Sequence, residues 1–339
     1  MDKNDCKEVV VLSKDSPLTM DELKAQFTKA KEKKRFAFVL GNGINRYALG
    51  KKAISWNDLM ENLWKEFLPD DVVPKASSGL TLTEIFDIMC LKNDGEWTDT
   101  INQSRKAVAK LFSRMPTSDN LQHLLKDWQV PVLTTNYDAC LEKGLKRFVL
   151  KNTGLYRQGY SPTYPFNVYF SSEAMPTDED CYHRFAVWHI NGTIRHKESL
   201  RLGTADYMGL QTYTKKFLHE RANMYSIDRE HKEWGIKDRA RNKNDTYGFT
   251  WLNIFYNCSL CINGLGLNTD ETFLRWLLIS RKKYLDRIGE RAEGWYICSL
   301  SDLDDGKRYF LQNVGFTIVV IEDMDTRYQE LFELKHTEK

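Results

Sequence analysis

The chain has 339 residues, enough to bury a sizeable core in one large domain or two modest ones. Hydrophobic residues make up 42% and charged residues 28%, and the net charge is only +2, which gives no footprint for a direct nucleic-acid or membrane partner. No apolar run approaches the ~20 residues of a membrane span and the first residues lack signal-peptide character, so a cytoplasmic location is expected.

Seven cysteines, an odd number scattered through the chain, suit a reducing compartment better than a disulfide framework. Cys258 and Cys261 have Cys-x-x-Cys spacing, but no second pair completes a zinc site. They sit in the apolar run Cys258–Ile262, so they read as core and no metal is expected.

In chain order, residues 1–17 read as a loosely held arm. Thr19-Met20-Asp21-Glu22 has capping-box form and opens a short charged helix. Phe36–Leu40 is a wholly apolar strand that runs into the glycine turn Gly41-Asn42-Gly43-Ile44-Asn45-Arg46. Ser55-Trp56-Asn57-Asp58 caps the next helix, and the pattern stays mostly helical to Trp128. A connection of that length between two parallel strands reads as a helical insertion over 56–128.

Val130–Leu133 is a short strand ending in the polar corner Thr134-Thr135-Asn136-Tyr137-Asp138. Apolar positions at helical spacing then predict a helix over 139–149, with Asp138 as its N-cap. Residues 152–182 read as irregular loop with a hairpin, and Phe185–Ile190 as a strand ending in Asn191-Gly192-Thr193. A helix is expected over 207–235, and the very polar 237–247 reads as an exposed loop. Three further strands, Cys258–Ile262, Trp295–Cys298 and Thr317–Ile321, alternate with helices, and a terminal helix is expected around Tyr328–Leu334.

Strands alternating with helices predict an α/β fold, a Rossmann-like doubly wound parallel sheet. A single domain is expected, with its core in 36–55, 129–200 and 250–335 and a second helical and loop insertion over 205–248. In such sheets ligands lie beyond the carboxyl ends of the strands. The glycine turn fits a phosphate cradle, since glycine lets the backbone approach an anion. A plain strand–turn–helix explains it equally well, because no third glycine completes a dinucleotide fingerprint. His189 and Asn136 each have an ordinary structural reading alone; together with the turn at Gly264-Leu265-Gly266 they put an anion cradle, an amide and a titratable base on one rim.

The ordered set resembles the sirtuin-like fold, in the branch found in prokaryotic antiviral defence proteins. Phe38-Val39-Leu40-Gly41-Asn42-Gly43-Ile44-Asn45 looks like the family's Gly-Ala-Gly-x-Ser turn, and Ser55-Trp56-x-x-Leu59 resembles its next helix start. Thr134-Thr135-Asn136-Tyr137-Asp138 is similar to its Thr-Gln-Asn-Ile-Asp motif, His189-Ile190-Asn191-Gly192 to its His-Gly motif, and Gly264–Asp270 to its later ribose-binding turn.

The resemblance implies NAD as ligand and Asn136 with His189 as the catalytic pair. It implies that Gly41, Asn42, Gly43, Asn45, Thr135 and Asp138 contact the pyrophosphate and ribose, with Asn263, Gly264 and Asp270 near the adenosine ribose. Asp138 and Asp270 read equally well as helix caps. The chain lacks the two Cys-x-x-Cys pairs of the zinc module and the Pro-Asp-Phe-Arg-like segment of protein-deacylating sirtuins. Water is therefore the expected acceptor, and the expected activity is NAD glycohydrolysis to nicotinamide and ADP-ribose. In a defence setting this would deplete NAD in the infected cell. A protein deacylase and a non-catalytic NAD or ADP-ribose sensing subunit are the alternatives. The resemblance also implies a homo-oligomer and a separate partner such as a HerA-like ATPase, an Argonaute-type protein or a sensor.

Overall fold

A computed structural model describes residues 9–11, 18–33, 35–75, 79–150, 163–219, 249–291 and 293–334. Among them nine strands form one sheet in the order β1-β9-β8-β7-β2-β3-β6-β5-β4. The strands are β1 (Val10–Val11), β2 (Phe36–Leu40), β3 (Pro131–Thr134), β4 (Lys146–Val149), β5 (Val168–Ser171), β6 (Ala186–His189), β7 (Ser259–Asn263), β8 (Gly294–Cys298) and β9 (Thr317–Val320). The six from β9 to β6 run parallel, while β1 at one edge and β5 and β4 at the other pair antiparallel.

The parallel strands are buried on both faces, which is why they read as unbroken apolar runs. Successive residues feed two cores. Ala37, Val39, Leu260, Ile262 and Tyr296 face one helical layer, while Phe36, Phe38, Cys261, Trp295 and Ile297 face the other. Cys258 and Cys261 belong to these two different cores, and burial pushes both thiols up, that of Cys258 to about 12.

The first layer contains α7 (Asp180–His183), α8 (Thr204–His219), α9 (Trp251–Asn257), α10 (Thr272–Arg287) and α11 (Asp305–Asn313). The second is built on α1 (Met20–Lys33), α6 (Asp119–Asp127) and a π-helical turn at Thr326–Glu330, where the terminal helix was expected. Between β2 and β3 the chain also forms α2 (Gly43–Leu49), α3 (Trp56–Phe67), α4 (Leu82–Lys92) and α5 (Trp97–Phe112). The last three make their own apolar cluster around Leu63, Trp64, Phe86 and Val108, which also takes in Tyr137. The predicted capping box of α1 and the predicted cap of α3 are present, Ser55 Oγ accepting from Asp58 N at 3.1 Å and Thr19 Oγ1 from Glu22 N at 3.2 Å.

The helix expected over 139–149 does not form. Residues 139–145 turn, Gly144 takes a φ of +72° that ends any helical run, and Lys146–Val149 pairs with β5. Helix α8 covers 204–219; the rest of the helix expected to 235, and the 237–247 loop, lie outside the described residues. No helix among the described residues is long and apolar enough to cross a membrane.

Candidate active site at the crossing of β2 and β7

Register sets the site. Leu40 of β2 pairs with Thr134 of β3 and with Asn263 of β7, and Thr134 pairs with His189 of β6. These four residues end their strands at one level, and the segments after them form the rim. From β2 the chain adds strands in one direction to β3 and β6, then in the other from β7 to β8 and β9. That reversal opens the crevice in which doubly wound sheets hold nucleotides. A cavity of about 720 Å³ occupies it.

Its walls have three sources. The glycine turn and the β3 corner contribute Asn42, Gly43, Arg46, Thr135, Asn136 and Asp138. The β7–α10 turn contributes Gly264, Asp270 and Glu271, and the helical side adds Trp56, Tyr207 and Met208. Of the residues implied from sequence, Asn42, Gly43, Thr135, Asn136, Asp138, Gly264 and Asp270 line the cavity, whereas Gly41, Asn45, Asn263 and His189 do not.

The glycine turn does not make an anion cradle from its glycines. Gly41 N donates to Asn263 O at 3.0 Å and Gly43 N to Gly264 O at 2.8 Å, so both N–H groups are spent on the β7 turn. The glycines serve close approach instead. A Cβ on Gly41 would lie 2.7 Å from Leu265 Cα, and one on Gly43 2.6 Å from Gly264 Cα. The cation in this part of the wall is Arg46, on the exposed side of α2, with no ion pair among the described residues.

Asparagines bracket the turn to the β3 corner. Buried Asn45 donates Nδ2 to Asp138 Oδ2 at 2.6 Å and to Asn42 Oδ1 at 3.3 Å. Asn136 donates Nδ2 to Gly41 O at 3.2 Å, and Thr134 Oγ1 donates to Leu40 O at 3.0 Å. Asn263 Nδ2 donates to Arg327 O at 3.1 Å behind the rim. Asp138 caps no helix; its Oδ1 accepts from Cys140 N at 2.9 Å, a local turn, and burial pushes its carboxyl up. Asp270 caps none either, since α10 starts at Thr272 with no side-chain cap.

His189 is not placed to act as a base. Its side chain is 4% exposed, turned to the Phe170 layer, with the two ring centroids 5.7 Å apart. Nδ1 lies 2.7 Å from the Asn136 carbonyl oxygen, and Nε2 is bonded to Glu142 Oε1. A carbonyl only accepts, so Nδ1 carries a proton, and the carboxylate claims a proton at Nε2. Burial alone would lower the imidazole; the Glu142 charge and hydrogen bond outweigh it and raise it above 6.5. Neither nitrogen has a lone pair open to the cavity. Asn191, two residues beyond the end of β6 as Asn136 is beyond the end of β3, lines the wall instead. It is buried, and its Oδ1 has no hydrogen-bond partner among the described residues.

Sequence reasoning assigned no role to Arg46, Asn191 or Glu271. The first two stand inside quoted motifs, and counting from the strand ends would have found Asn191. Glu271 carries no local signal. Burial beside Asp270 raises its carboxyl to about 7, and its Oε2 accepts from Asn268 N at 3.1 Å. The folded state therefore keeps a proton that the unfolded chain, at 4.5, gives up. Stability falls as pH rises from 4.5 to about 7 and stays reduced above it. Glu271→Gln should therefore raise the melting temperature at pH 8 by a few degrees and leave it nearly unchanged at pH 4, as thermal unfolding at the two pH values will show.

A family model described as a SIR2-like domain matches residues 130–319, more than half of the chain, covering β3 to β8 and most of β9. The chain belongs to the SIR2-like family. No curated protein matches it. The SIR2-like match and the mostly parallel sheet agree with the sirtuin-like fold read from the motifs, and the match is consistent with an NAD-utilising protein. Among the described residues no cluster of histidine, cysteine and carboxylate side chains is arranged to hold a metal. The residue directly before Gly192, where the family's His-Gly pair has histidine, is Asn191 in this SIR2-like chain.

Proposed function

We propose that the cavity binds NAD and that the chain is an NAD glycohydrolase, releasing nicotinamide and ADP-ribose as the NAD-depleting effector of an anti-phage system. The observation that carries this reading is the convergence of Asn136, Asn191 and Asp138 with Arg46 on one cavity at the strand reversal. A volume of about 720 Å³ suits a ligand of dinucleotide size. The unpartnered Asn191 Oδ1 calls for a donor such as a ribose hydroxyl, and Arg46 supplies positive charge for a diphosphate.

Hydrolysis breaks the C1′–N bond, whose electron pair leaves with neutral nicotinamide, and forms a C1′–O bond to water, which loses a proton. Positive charge develops on the ribose, as in other glycosyl transfers, so a buried carboxylate such as Asp138 on the wall favours the transition state. The proton leaves after water has attacked, and no imidazole base is needed beforehand. Deacylation differs, because a ribose hydroxyl must itself be made nucleophilic, and among the described residues no histidine lines the cavity. The same feature supports a second reading, an NAD-binding subunit without turnover. In the defence setting the chain would work as a homo-oligomer in the cytoplasm with a separate partner protein.

The test measures nicotinamide release by purified chain with and without acyl-lysine peptide, beside cellular NAD in phage-challenged bacteria expressing the chain. Peptide-independent release, or NAD loss on infection, supports the hydrolase. Release only with peptide makes it a deacylase, and NAD binding without loss in either setting makes it the binding subunit.

A further inference from the structure

We propose that His189 is a positioning residue: clamped between the Glu142 carboxylate and the Asn136 carbonyl, it fixes the backbone from which the Asn136 amide reaches into the cavity. The ribose-binding part of this inference rests on the NAD reading; the clamp itself does not.

The clamp is built from groups far apart in the chain. Glu142 stands in the turn after the β3 corner, with its side chain 1% exposed. Its Oε1 bonds His189 Nε2, and its Oε2 lies 2.9 Å from Arg195 Nε. Arg195 is held in turn, donating Nη1 to Leu145 O at 3.1 Å and Nη2 to Glu142 O at 3.2 Å, with its guanidinium 5.0 Å from the Phe170 ring centre. The charged groups around the imidazole are thus Glu142, the more distant Asp138, and Arg195 beyond Glu142. Two acidic neighbours and one cation leave a positive imidazole favoured.

That positive ring donates to the carbonyl of Asn136, whose N–H is held by Thr134 Oγ1 at 3.1 Å and whose amide is held by Gly41 O at 3.2 Å. Asn136 is therefore fixed from three sides, and its amide is presented without a search over rotamers. A buried pair of this kind is costly to half-remove, because the remaining charge has no water to turn to. The histidine at this strand end thus acts through Asn136.

Nuclear magnetic resonance on the full chain tests the clamp. The side-chain nitrogens of His189, assigned through its backbone, should both carry protons at pH 6.5, where an ordinary imidazole is already half neutral. Glu142→Gln should remove one of those protons, shift the Asn136 side-chain amide signals, and weaken NAD binding about tenfold. A His189 ring in the native chain that is as neutral at pH 6.5 as an ordinary imidazole overturns the proposal. So do Asn136 amide signals that stay in place in folded Glu142→Gln. If the native chain binds no NAD while the ring state and amide shifts are as expected, the NAD reading fails and the clamp stands. A Glu142→Gln variant that does not fold leaves the ring state of the native chain as the deciding measurement.

Discussion

Asn136→Ala is expected to lower nicotinamide release from NAD by on the order of 10²-fold or more while leaving the fold intact. The side chain lines the cavity and gives up one hydrogen bond within the protein, Nδ2 to the Gly41 carbonyl at 3.2 Å. That bond is worth about 1 kcal/mol to stability, so the melting temperature should fall by only a few degrees. The amide can hold a ribose hydroxyl or the attacking water without adding charge beside a developing oxocarbenium ion. Steady-state kinetics and thermal unfolding on one preparation separate the two effects. Equal losses of activity and folded protein would remove Asn136 from the chemistry.

Gly192→Ala is expected to act the other way, through the fold. Gly192 has a φ of +94°, a region that alanine rarely enters. A Cβ there would lie 2.8 Å from Leu200 N and overlap the Ser199 carbonyl, both backbone groups that cannot swing aside. Backbone strain and overpacking together should cost about 3 kcal/mol or more, lowering the melting temperature by about 4 °C or more. The same turn sets Asn191 on the cavity wall, so NAD binding should weaken even at temperatures where the variant is folded. Calorimetric unfolding and a binding titration on the variant measure the two consequences.

The six parallel strands were legible because each is a short apolar run buried on both faces, and the rim was legible because each run stops in polar residues. The far edge of the sheet was not. Lys146-Arg147-Phe148-Val149 is largely exposed in β4 and follows Leu141 and Leu145, so its spacing imitates an amphipathic helix. What rules that helix out is pairing with β5, more than fifteen residues away. The insertion between Trp56 and Trp128 was readable from helical spacing and from Ser55-Trp56-Asn57-Asp58 as a helix cap.

At the site, residue types were legible and their orientations were not. His189 was seen to stand at a strand end, but whether its ring turns to the cavity depends on Glu142 and Phe170, which no local pattern ties to it. The glycine turn was recognised, yet its glycines serve the approach of Gly264 and its arginine is the residue that faces the cavity. Asn45 was expected among the ligand contacts; it lies behind them as the bracket between Asn42 and Asp138.

The most direct measurement is a calorimetric titration of NAD into the full chain, beside Asn191→Leu and Arg46→Glu. Both side chains line the cavity, and among the described residues neither makes a hydrogen bond that its loss would break. Saturable binding by the native chain is expected, weakened at least tenfold in each variant, with unchanged unfolding curves. NAD binding that is absent from the native chain, or indifferent to both substitutions, would contradict the assignment of this cavity.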